Sequence, residues 1–377
     1  MKIAYTISGI YNSGGMENIL LQKASYLADA LGYDVTIITT DQQGKAPFFP
    51  ISQKVRLIDL GINYNNERER HTSLIMTQLS YSACKRKHFH ALRTLLLREK
   101  FDIVISLMDF DFGFLHRIKD GSRKIIEYHF SKYSKILGET NPLKRLLQKA
   151  RIALWPLTLR KYDRFVVLTN EDCCQWGKLD NISVIPNFIS RMPERTSALN
   201  KKRAISVGRF DNQKGFDLLV DAWGKVAVKH PDWELEIIGG GDHNHIHQLV
   251  ETKGLSKHIT LSPPAKDITS HYLDSSLYVM SSRYEGLPLV LIEAMAHGLP
   301  IVSFACPCGP SDVLKPDFGI LVECYDTDKL ANAIITWLND HNQMKAGGQK
   351  AAKEAENYAI KPIMSKWDAL FKQLTNA

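Results

Sequence analysis

Short apolar strands alternate with amphipathic helices along almost the whole chain. Residues 2–8 are predicted as a strand that runs into a glycine turn, residues 17–31 place apolar side chains at helical spacing, and residues 34–40 are predicted as the next strand. A strand, a helix and a second strand in this order favour a parallel crossover, so the pattern predicts an α/β chain built on parallel sheets. Further strands of this first series are predicted at residues 55–60, 102–107, 124–128, 164–168 and 183–185.

A second series of the same kind follows the polar, proline-containing residues 190–202. Its strands are predicted at residues 204–207, 233–238, 259–261, 277–280, 301–304 and 320–322. Two successive series predict two doubly wound domains, which we place at residues 1–190 and 203–360 with a linker at residues 191–202. Ligands of such sheets bind beyond the carboxyl ends of the strands, so a shared ligand would lie in the cleft between the domains.

The composition limits the class of protein. The length of 377 residues allows two to three domains of about 150 residues each, and a content of 44% hydrophobic residues is typical of a globular chain. No apolar run approaches the roughly 20 residues that span a bilayer. Residues 1–7 run into polar residues too early for a signal peptide. We therefore expect a cytoplasmic protein.

The net charge of +8 is unevenly distributed. Residues 1–200 contain 29 Lys and Arg against 19 Asp and Glu, whereas residues 201–377 contain 19 against 21. A basic first half indicates an anionic surface or partner. The sequence has no recognisable RNA- or DNA-binding module, so nucleic acid is not the expected partner.

Residues 281–295, SSRYEGLPLVLIEAM, are the most informative segment because they join a predicted strand to a predicted helix. Gly286 allows a ligand to approach the main chain, and the free N–H groups at the start of the helix favour an anion. Glu285 and Glu293 are predicted to border the same opening, where carboxylates accept hydrogen bonds from sugar hydroxyls. Alternatively, Glu285 caps the helix and Glu293 forms an ordinary surface pair.

Two glycine-containing turns supply candidate phosphate-binding groups. Arg209 and Lys214 lie five residues apart in the turn after the first strand of the second series, where they could hold one diphosphate. A solvated basic turn is the alternative. Gly14 and Gly15 follow the first strand of the chain and permit close approach of N–H groups to a phosphate. A purely structural glycine turn explains this pair equally well.

Together these segments resemble the retaining family-4 glycosyltransferases, also called glycosyl transferases group 1, of the type that assembles bacterial surface polysaccharides. The resemblance rests on the order and spacing of the motifs GGME, GRFDNQKG, IGGGD, Glu285-x₇-Glu293, AHGLPIV and CGPSDV. It implies the GT-B fold, in which two Rossmann-like doubly wound domains face each other. The N-terminal domain would take the acceptor, the C-terminal domain would take the nucleotide sugar, and residues 361–377 would form a helix that crosses back to the N-terminal domain.

The resemblance also implies roles for particular residues. Arg209 and Lys214 would hold the donor diphosphate, and Glu293 would accept hydrogen bonds from the ribose. Glu285 would accept hydrogen bonds from the transferred sugar as a catalytic residue. Main-chain groups that contact the phosphate or the sugar would belong to Gly14, Gly15, Gly286, Leu287 and Pro288.

The resemblance implies a second catalytic residue, His129, beside the donor sugar, although an isolated histidine is more often structural. It implies that the anomeric configuration is retained, with no cofactor and no metal, since cations and N–H dipoles can stabilise the leaving diphosphate. Asp109-Phe110-Asp111 has the D-x-D pattern of metal sites in another glycosyltransferase fold. We expect this loop to face the acceptor instead of holding a metal.

The partners follow from the resemblance and from the basic first half. The donor is expected to be a UDP-linked hexose or N-acetylhexosamine, and the acceptor a glycan or a polyprenyl-diphosphate-linked glycan. Residues 143–155 combine apolar residues with four cations and no acid, which favours binding to an anionic membrane surface. We expect peripheral association with the inner face of the cell membrane; a solvated helix face is the alternative.

Two other functions remain open on the sequence. A nucleotide-sugar 2-epimerase could use the same scaffold, and so could a non-catalytic protein that binds sugar nucleotides. The epimerase would act on the donor without an acceptor. The binding protein would neither transfer nor hydrolyse the sugar.

Overall fold

The computed structural model describes residues 1–64 and 74–376. The first domain is built on a seven-stranded parallel sheet with the strand order β3-β2-β1-β4-β5-β6-β7. Its strands are β1 (Lys2–Ile7), β2 (Asp34–Thr39), β3 (Arg56–Asp59), β4 (Ile103–Ser106), β5 (Arg123–Glu127), β6 (Arg164–Val167) and β7 (Ile182–Val184). Its helices are α1 (Gly15–Asp29), α2 (Leu74–Glu99), α3 (Ser134–Leu137), α4 (Pro142–Leu159) and α5 (Asn170–Gln175), with a short 3₁₀ helix at Leu115–Arg117.

The second domain is built on a six-stranded parallel sheet with the order β10-β9-β8-β11-β12-β13. Its strands are β8 (Arg203–Val207), β9 (Glu234–Ile238), β10 (Ile259–Ser262), β11 (Leu277–Met280), β12 (Ile301–Phe304) and β13 (Gly319–Val322). Its helices are α6 (Phe216–Lys229), α7 (Asn244–Thr252), α8 (Thr269–Leu273), α9 (Leu289–Ala296), α10 (Pro310–Val313), α11 (Thr327–Asn339) and α12 (His341–Ala355). A 3₁₀ turn at Glu356–Tyr358 leads into α13 (Ile360–Thr375).

The apolar runs of the sequence become central strands because both faces of each sheet are covered by helices. Strand β4 is buried at all four positions, and β11 and β12 are buried in the same way. The predicted order of alternating strands and helices is confirmed in both domains, which gives the expected α/β fold with two doubly wound sheets.

The last helix belongs structurally to the first domain. Helix α13 packs against α1, and its apolar side chains are part of the core of the first domain. The buried residues that it contributes are Ile363, Met364, Trp367, Leu370, Phe371 and Leu374. The chain therefore crosses between the domains twice, once at residues 191–202 and once before α13.

Both strand orders reverse direction next to the first strand of their sheet, between β1 and β4 and between β8 and β11. Such a topological switch point opens a crevice at the carboxyl ends of the strands, where α/β sheets bind ligands. The loops at the carboxyl ends of the two sheets meet across a cleft: a Cβ at Gly286 would lie 3.0 Å from the His129 carbonyl oxygen, and one at Gly138 would lie 3.0 Å from the Tyr284 hydroxyl.

Candidate functional site

Two loops of the second domain meet at its switch point. The loop after β8 carries Lys214, the loop after β11 carries Glu285, and Lys214 Nζ lies 2.7 Å from Glu285 Oε1. Both side chains are largely buried, with exposed fractions of 15% and 8%. Gln213 Nε2 donates to the carbonyl oxygen of Tyr284 at 3.0 Å, which further ties the two loops together. The structure thus brings the predicted phosphate-binding lysine and the predicted sugar-binding carboxylate into direct contact.

Arg209 lies in the same loop as Lys214 but points into solvent. Its guanidinium is 74% exposed and lies 3.2 Å from Asp211 Oδ2. Arg209 also acts electrostatically on the Tyr284 hydroxyl, so it lies beside the Glu285 loop. An exposed ion pair is weak, and its arginine can turn toward another anion at little cost. The structure leaves Arg209 near the other predicted donor residues but not in contact with Lys214.

Glu293 occupies a position on α9 that is mostly shielded from water. Burial raises the pKa of its carboxyl group, and the Tyr272 hydroxyl donates to Glu293 Oε2 at 3.2 Å. Within the described part of the chain this is the sole hydrogen bond of the Glu293 carboxylate. Burial raises the pKa of the Tyr278 hydroxyl most, and the negative charges of Glu285 and Glu293 raise it further. One buried tyrosine therefore lies close to both carboxylates. A buried carboxylate with free lone pairs is suited to accept from ligand hydroxyl groups.

The segment Gly286, Leu287 and Pro288 forms the turn between Glu285 and α9, with Pro288 at the N-cap. Gly286 packs against the main chain of the first domain, so a Cβ at this position would lie 3.0 Å from the His129 carbonyl oxygen, a contact that requires a small shift. Leu287 is buried in the core of the second domain. Sequence reasoning anticipated close main-chain approach at Gly286, and here the approaching group is the facing protein loop.

Gly14 and Gly15 lie at the start of α1, on the first-domain side of the cleft. Gly14 is the N-cap, and a Cβ there would lie 2.1 Å from Glu17 Oε2. Gly15 is the first helical residue, and a Cβ there would have no heavy atom within 4 Å. The surrounding protein therefore gives no steric reason for glycine at position 15, where the space above the main chain is open.

His129 has its imidazole in the interior of the first domain. Its Nε2 lies 3.0 Å from Glu127 Oε1, and its Nδ1 lies 3.4 Å from Asn187 Nδ2. The side chain is 3% exposed. His129 thus faces the second domain through its main chain, while the imidazole is oriented by Glu127, a residue that sequence reasoning did not single out.

A buried lysine completes this cluster. The ammonium group of Lys23 on α1 contacts both carboxylate oxygens of Glu127, and both side chains are 1% exposed. Burial alone would raise the pKa of Glu127, but Lys23 and His129 outweigh burial and lower it to about 2. Lys23 Nζ also lies 4.1 Å from the ring centroid of Trp367 on α13. The signal for Lys23 was present in the sequence, since it falls among the apolar positions of an amphipathic helix.

The D-x-D segment has structural contacts. Asp111 is buried and accepts hydrogen bonds of 2.6 Å from the hydroxyls of both Thr6 and Ser106, which joins it to β1 and β4. Asp109 accepts a 2.7 Å hydrogen bond from the Ser8 main-chain N–H. No group of three metal-ligating side chains is found among residues 1–64 and 74–376. Asp109 also influences the pKa values of Tyr81 and Lys135, and this places it near the wall formed by α2 and α3.

A carboxylate of the second domain caps a helix of the first. Asp312 on α10 accepts hydrogen bonds from the main-chain N–H of Asn170 at 2.8 Å, from its side-chain amide at 2.9 Å, and from the N–H of Glu171 at 3.0 Å. These N–H groups begin helix α5, where a negative charge is favourable. Asp312 therefore connects the two sides of the cleft directly.

Family models match both halves of the chain. Residues 13–191 match Glycosyltransferase Family 4, and residues 190–354 match Glycosyl transferases group 1. An uncharacterized glycosyltransferase of Haemophilus influenzae is 30% identical over 98% of this chain and 99% of its own length. The amylovoran biosynthesis glycosyltransferase AmsD of Erwinia amylovora is 28% identical over 97% and 98% of the two chains.

A solved structure, Alr3699/HepE of Anabaena in complex with UDP, superposes with a TM-score of 0.74 at 16% identity, covering 99% of this chain and 100% of that one. The fold is that of the GT-B glycosyltransferases. The chain belongs to family 4 of the glycosyltransferases, which confirms the resemblance predicted from its motifs. Among the described helices, none is both long enough and apolar enough to span a membrane.

Proposed function

We propose that this glycosyltransferase transfers a hexose or an N-acetylhexosamine from a UDP-sugar to a glycan in cell-surface polysaccharide assembly, with retention of configuration and without a metal. The observation that carries the proposal is the Lys214–Glu285 ion pair at the switch point of the second domain. A cation for the diphosphate and an acceptor for sugar hydroxyls lie side by side there. The UDP bound to HepE and the amylovoran pathway of AmsD support the choice of donor and pathway.

The ion pair suggests how donor binding prepares the reaction. A diphosphate next to Lys214 would draw its ammonium away from Glu285, and the carboxylate would then be free to accept from the sugar hydroxyls. Arg209 can turn from solvent toward the diphosphate because its ion pair with Asp211 is exposed and therefore weak. Glu293 would accept from the ribose. Gly15 would let the N–H groups of α1 approach the diphosphate from the other domain.

The chemical step breaks the bond between the anomeric carbon and the UDP oxygen, and the electron pair remains on the leaving diphosphate. The acceptor oxygen bonds to the anomeric carbon on the same face, and its proton passes to a phosphate oxygen. Lys214 and Arg209 stabilise the charge that develops on the diphosphate, which is the role a divalent metal plays elsewhere. The Lys23–Glu127 pair holds the His129 loop in place beside Gly286.

The acceptor is proposed to be polyprenyl-diphosphate-linked and to be reached at the inner face of the cell membrane. The support is a surface of α4 in the first domain that combines exposed leucines with Lys and Arg side chains. Such a surface binds anionic lipid through apolar burial and electrostatic attraction. Flotation with anionic and neutral vesicles at low and high salt tests this part, and equal partition into both vesicles would contradict the electrostatic contribution.

One assay tests the catalytic proposal. UDP release is measured over a panel of UDP-sugars, with and without lipid-linked acceptor, in the presence and absence of EDTA. Acceptor-dependent release that survives EDTA supports the proposal, and loss of activity that Mn²⁺ restores contradicts its metal-independent part. Conversion of the donor without any acceptor would indicate an epimerase. Donor binding with neither transfer nor hydrolysis would indicate a binding protein.

A further inference from the structure

Helix α4 presents a stripe of leucines to solvent. Successive residues of a helix turn by about 100°, so residues at spacings of three, four, seven and eleven share one face. The exposed leucines follow this spacing, and their exposed fractions lie between 58% and 66%. They are Leu143, Leu146, Leu147, Leu154 and Leu157. The opposite face of the helix is buried in the first domain through Ile152, Trp155 and Leu159.

Cations border this leucine stripe on both sides. By the same helical geometry Lys144 and Arg151 lie along one edge and Lys149 lies toward the other, whereas Arg145 lies nearer the face opposite the leucines. Within residues 1–64 and 74–376, none of the four forms an ion pair with a carboxylate. An apolar stripe flanked by unpaired cations is typical of a helix that lies in the plane of a membrane interface.

The two edges differ in what lies beside them. Arg151 acts electrostatically on Lys135 of α3 and on Tyr81 of α2, so its edge lies on the side of α2 and α3. The pKa of Lys135 is lowered, first by partial burial and then by the positive charge of Arg151, whereas Asp109 opposes the shift. Within the described part of the chain, these two cations repel each other and Asp109 is the one acid that acts on Lys135, which leaves a net positive charge.

This positive charge lies close to the donor site. Lys135 is on the short helix α3, and Gly138, which ends that helix, approaches the hydroxyl of Tyr284 in the second domain. Tyr284 precedes Glu285 in the chain. Helix α3 packs against α4, which carries the leucine stripe. Lys135 and Arg151 thus belong to two packed helices, of which one carries the leucine stripe and the other ends beside the Glu285 loop.

We propose that Lys135 and Arg151 bind the phosphate of a lipid-linked acceptor while its hydrocarbon chain follows the leucine stripe. The proposal rests on the proposed function and names the acceptor site that this function requires. A phosphate between the two cations removes their mutual repulsion, and the Arg151 guanidinium can donate two parallel hydrogen bonds to it. Among residues 1–64 and 74–376, Asp109 is the one acid that acts on Lys135, so two cations face one carboxylate there.

The two remaining cations of α4 supply a matched control. Arg145 and Lys149 lie on the same helix and carry the same charge, but they do not act on Lys135 or Tyr81. The double variants Lys135→Gln/Arg151→Gln and Arg145→Gln/Lys149→Gln therefore lose equal charge from the same surface. If binding to a lipid surface depends only on net charge, the two double variants should weaken it equally.

The experiment measures binding of farnesyl diphosphate to the full chain by calorimetry, with farnesol and inorganic pyrophosphate as partial probes. We expect Lys135→Gln/Arg151→Gln to weaken binding by at least about tenfold and Arg145→Gln/Lys149→Gln to change it by less than about twofold. Binding to anionic vesicles, measured by flotation, should weaken similarly in both variants. Melting temperatures of both variants establish that the chain remains folded.

Three outcomes overturn the proposal: no binding of farnesyl diphosphate to the wild type, equal losses in the two variants, or pyrophosphate binding as strong as farnesyl diphosphate binding. Because no sugar donor is present, the result is independent of the UDP-release assay. Failure of that assay with a preserved difference between the two variants would reject the proposed reaction and leave the phosphate site. The reverse result would reject the site alone.

Discussion

Lys214 Nζ lies 2.7 Å from Glu285 Oε1, and this ion pair joins the two loops that flank the switch point of the second domain. The resemblance assigns Lys214 to the diphosphate and Glu285 to the sugar of the proposed donor, and in this structure the two charges neutralise each other. Under the proposed function, donor binding would exchange one set of charge-assisted hydrogen bonds for another.

Replacing Lys214 by Ala is expected to lower turnover by about 100-fold or more, because a cation that stabilises the leaving diphosphate is lost. The measurement is UDP release with the best donor of the panel. Lys225→Ala is the control, since Lys225 pairs with Asp328 on the outside of the second domain and is expected to change turnover by less than about twofold. Turnover of Lys214→Ala within a factor of about two of the wild type would contradict the phosphate assignment.

Replacing Gly15 by Ala separates ligand approach from folding. The new methyl group meets no protein atom, and alanine is more favourable than glycine in a helix by up to about 1 kcal/mol. The melting temperature is expected to stay the same or rise, while UDP binding measured by calorimetry weakens by about tenfold as the methyl group enters the space for the diphosphate. Unchanged UDP affinity would mean that the diphosphate does not approach α1 at this point.

The pair Lys23 and Glu127 is expected to behave as a coupled unit. Lys23→Met leaves the Glu127 carboxylate buried without its main partner, which should reduce the free energy of unfolding by about 3–5 kcal/mol. The double variant Lys23→Met/Glu127→Gln should recover much of this loss because the isolated charge is gone. Urea unfolding of the wild type, both single variants and the double variant measures the coupling, and additive losses would contradict it.

The carboxyl group of Asp111 predicts a pH-dependent contribution to stability. Burial raises its pKa to about 6, although the hydroxyls of Ser106 and Thr6 lower it, and its ordinary value is 3.8. The folded state therefore favours the protonated form, so this contribution is complete below about pH 4 and is lost as the pH rises through 6.

Asp111→Asn should consequently be more stable than the wild type above pH 6, by up to about 3 kcal/mol, with the difference shrinking as the pH falls toward 4. The asparagine amide can use the same two hydroxyl groups. Urea unfolding of both proteins at pH 4.5 and pH 7.5 measures the difference. A difference that does not change between these two pH values would show that Asp111 does not titrate as its burial predicts.

The contacts of Asp312 predict a latch across the cleft. Asp312→Ala removes three hydrogen bonds to the start of α5. A hydrogen bond with one charged partner contributes about 1.5–3 kcal/mol to stability. Small-angle scattering without ligand should then show a larger radius of gyration, and UDP should reduce it by favouring closure at residues 191–202. Asp328→Ala, on the outer helix α11, is the control. Identical scattering of Asp312→Ala and the wild type would exclude the latch.

The sequence by itself determined the architecture. Alternating apolar strands and amphipathic helices specify two parallel sheets, because only helices on both faces can bury such continuous runs. The predicted strand at residues 277–280 has the bounds of β11, and others such as residues 2–8 differ from the structure by one residue at an end. The order of the motifs also identified the family, since their spacing along the chain can be read without knowing how the chain packs.

Only the tertiary structure decided which side chains meet. The Lys214–Glu285 pair, the contact of Asp312 with α5 and the cluster of Lys23, Glu127 and His129 join residues that are 71, 142 and 104 positions apart in their key contacts. Periodicity indicates which face of a helix is buried but not which partner it buries against. The direction of the His129 imidazole, toward Glu127, follows from a buried charge that must be paired, and that pairing exists only once the sheets have formed.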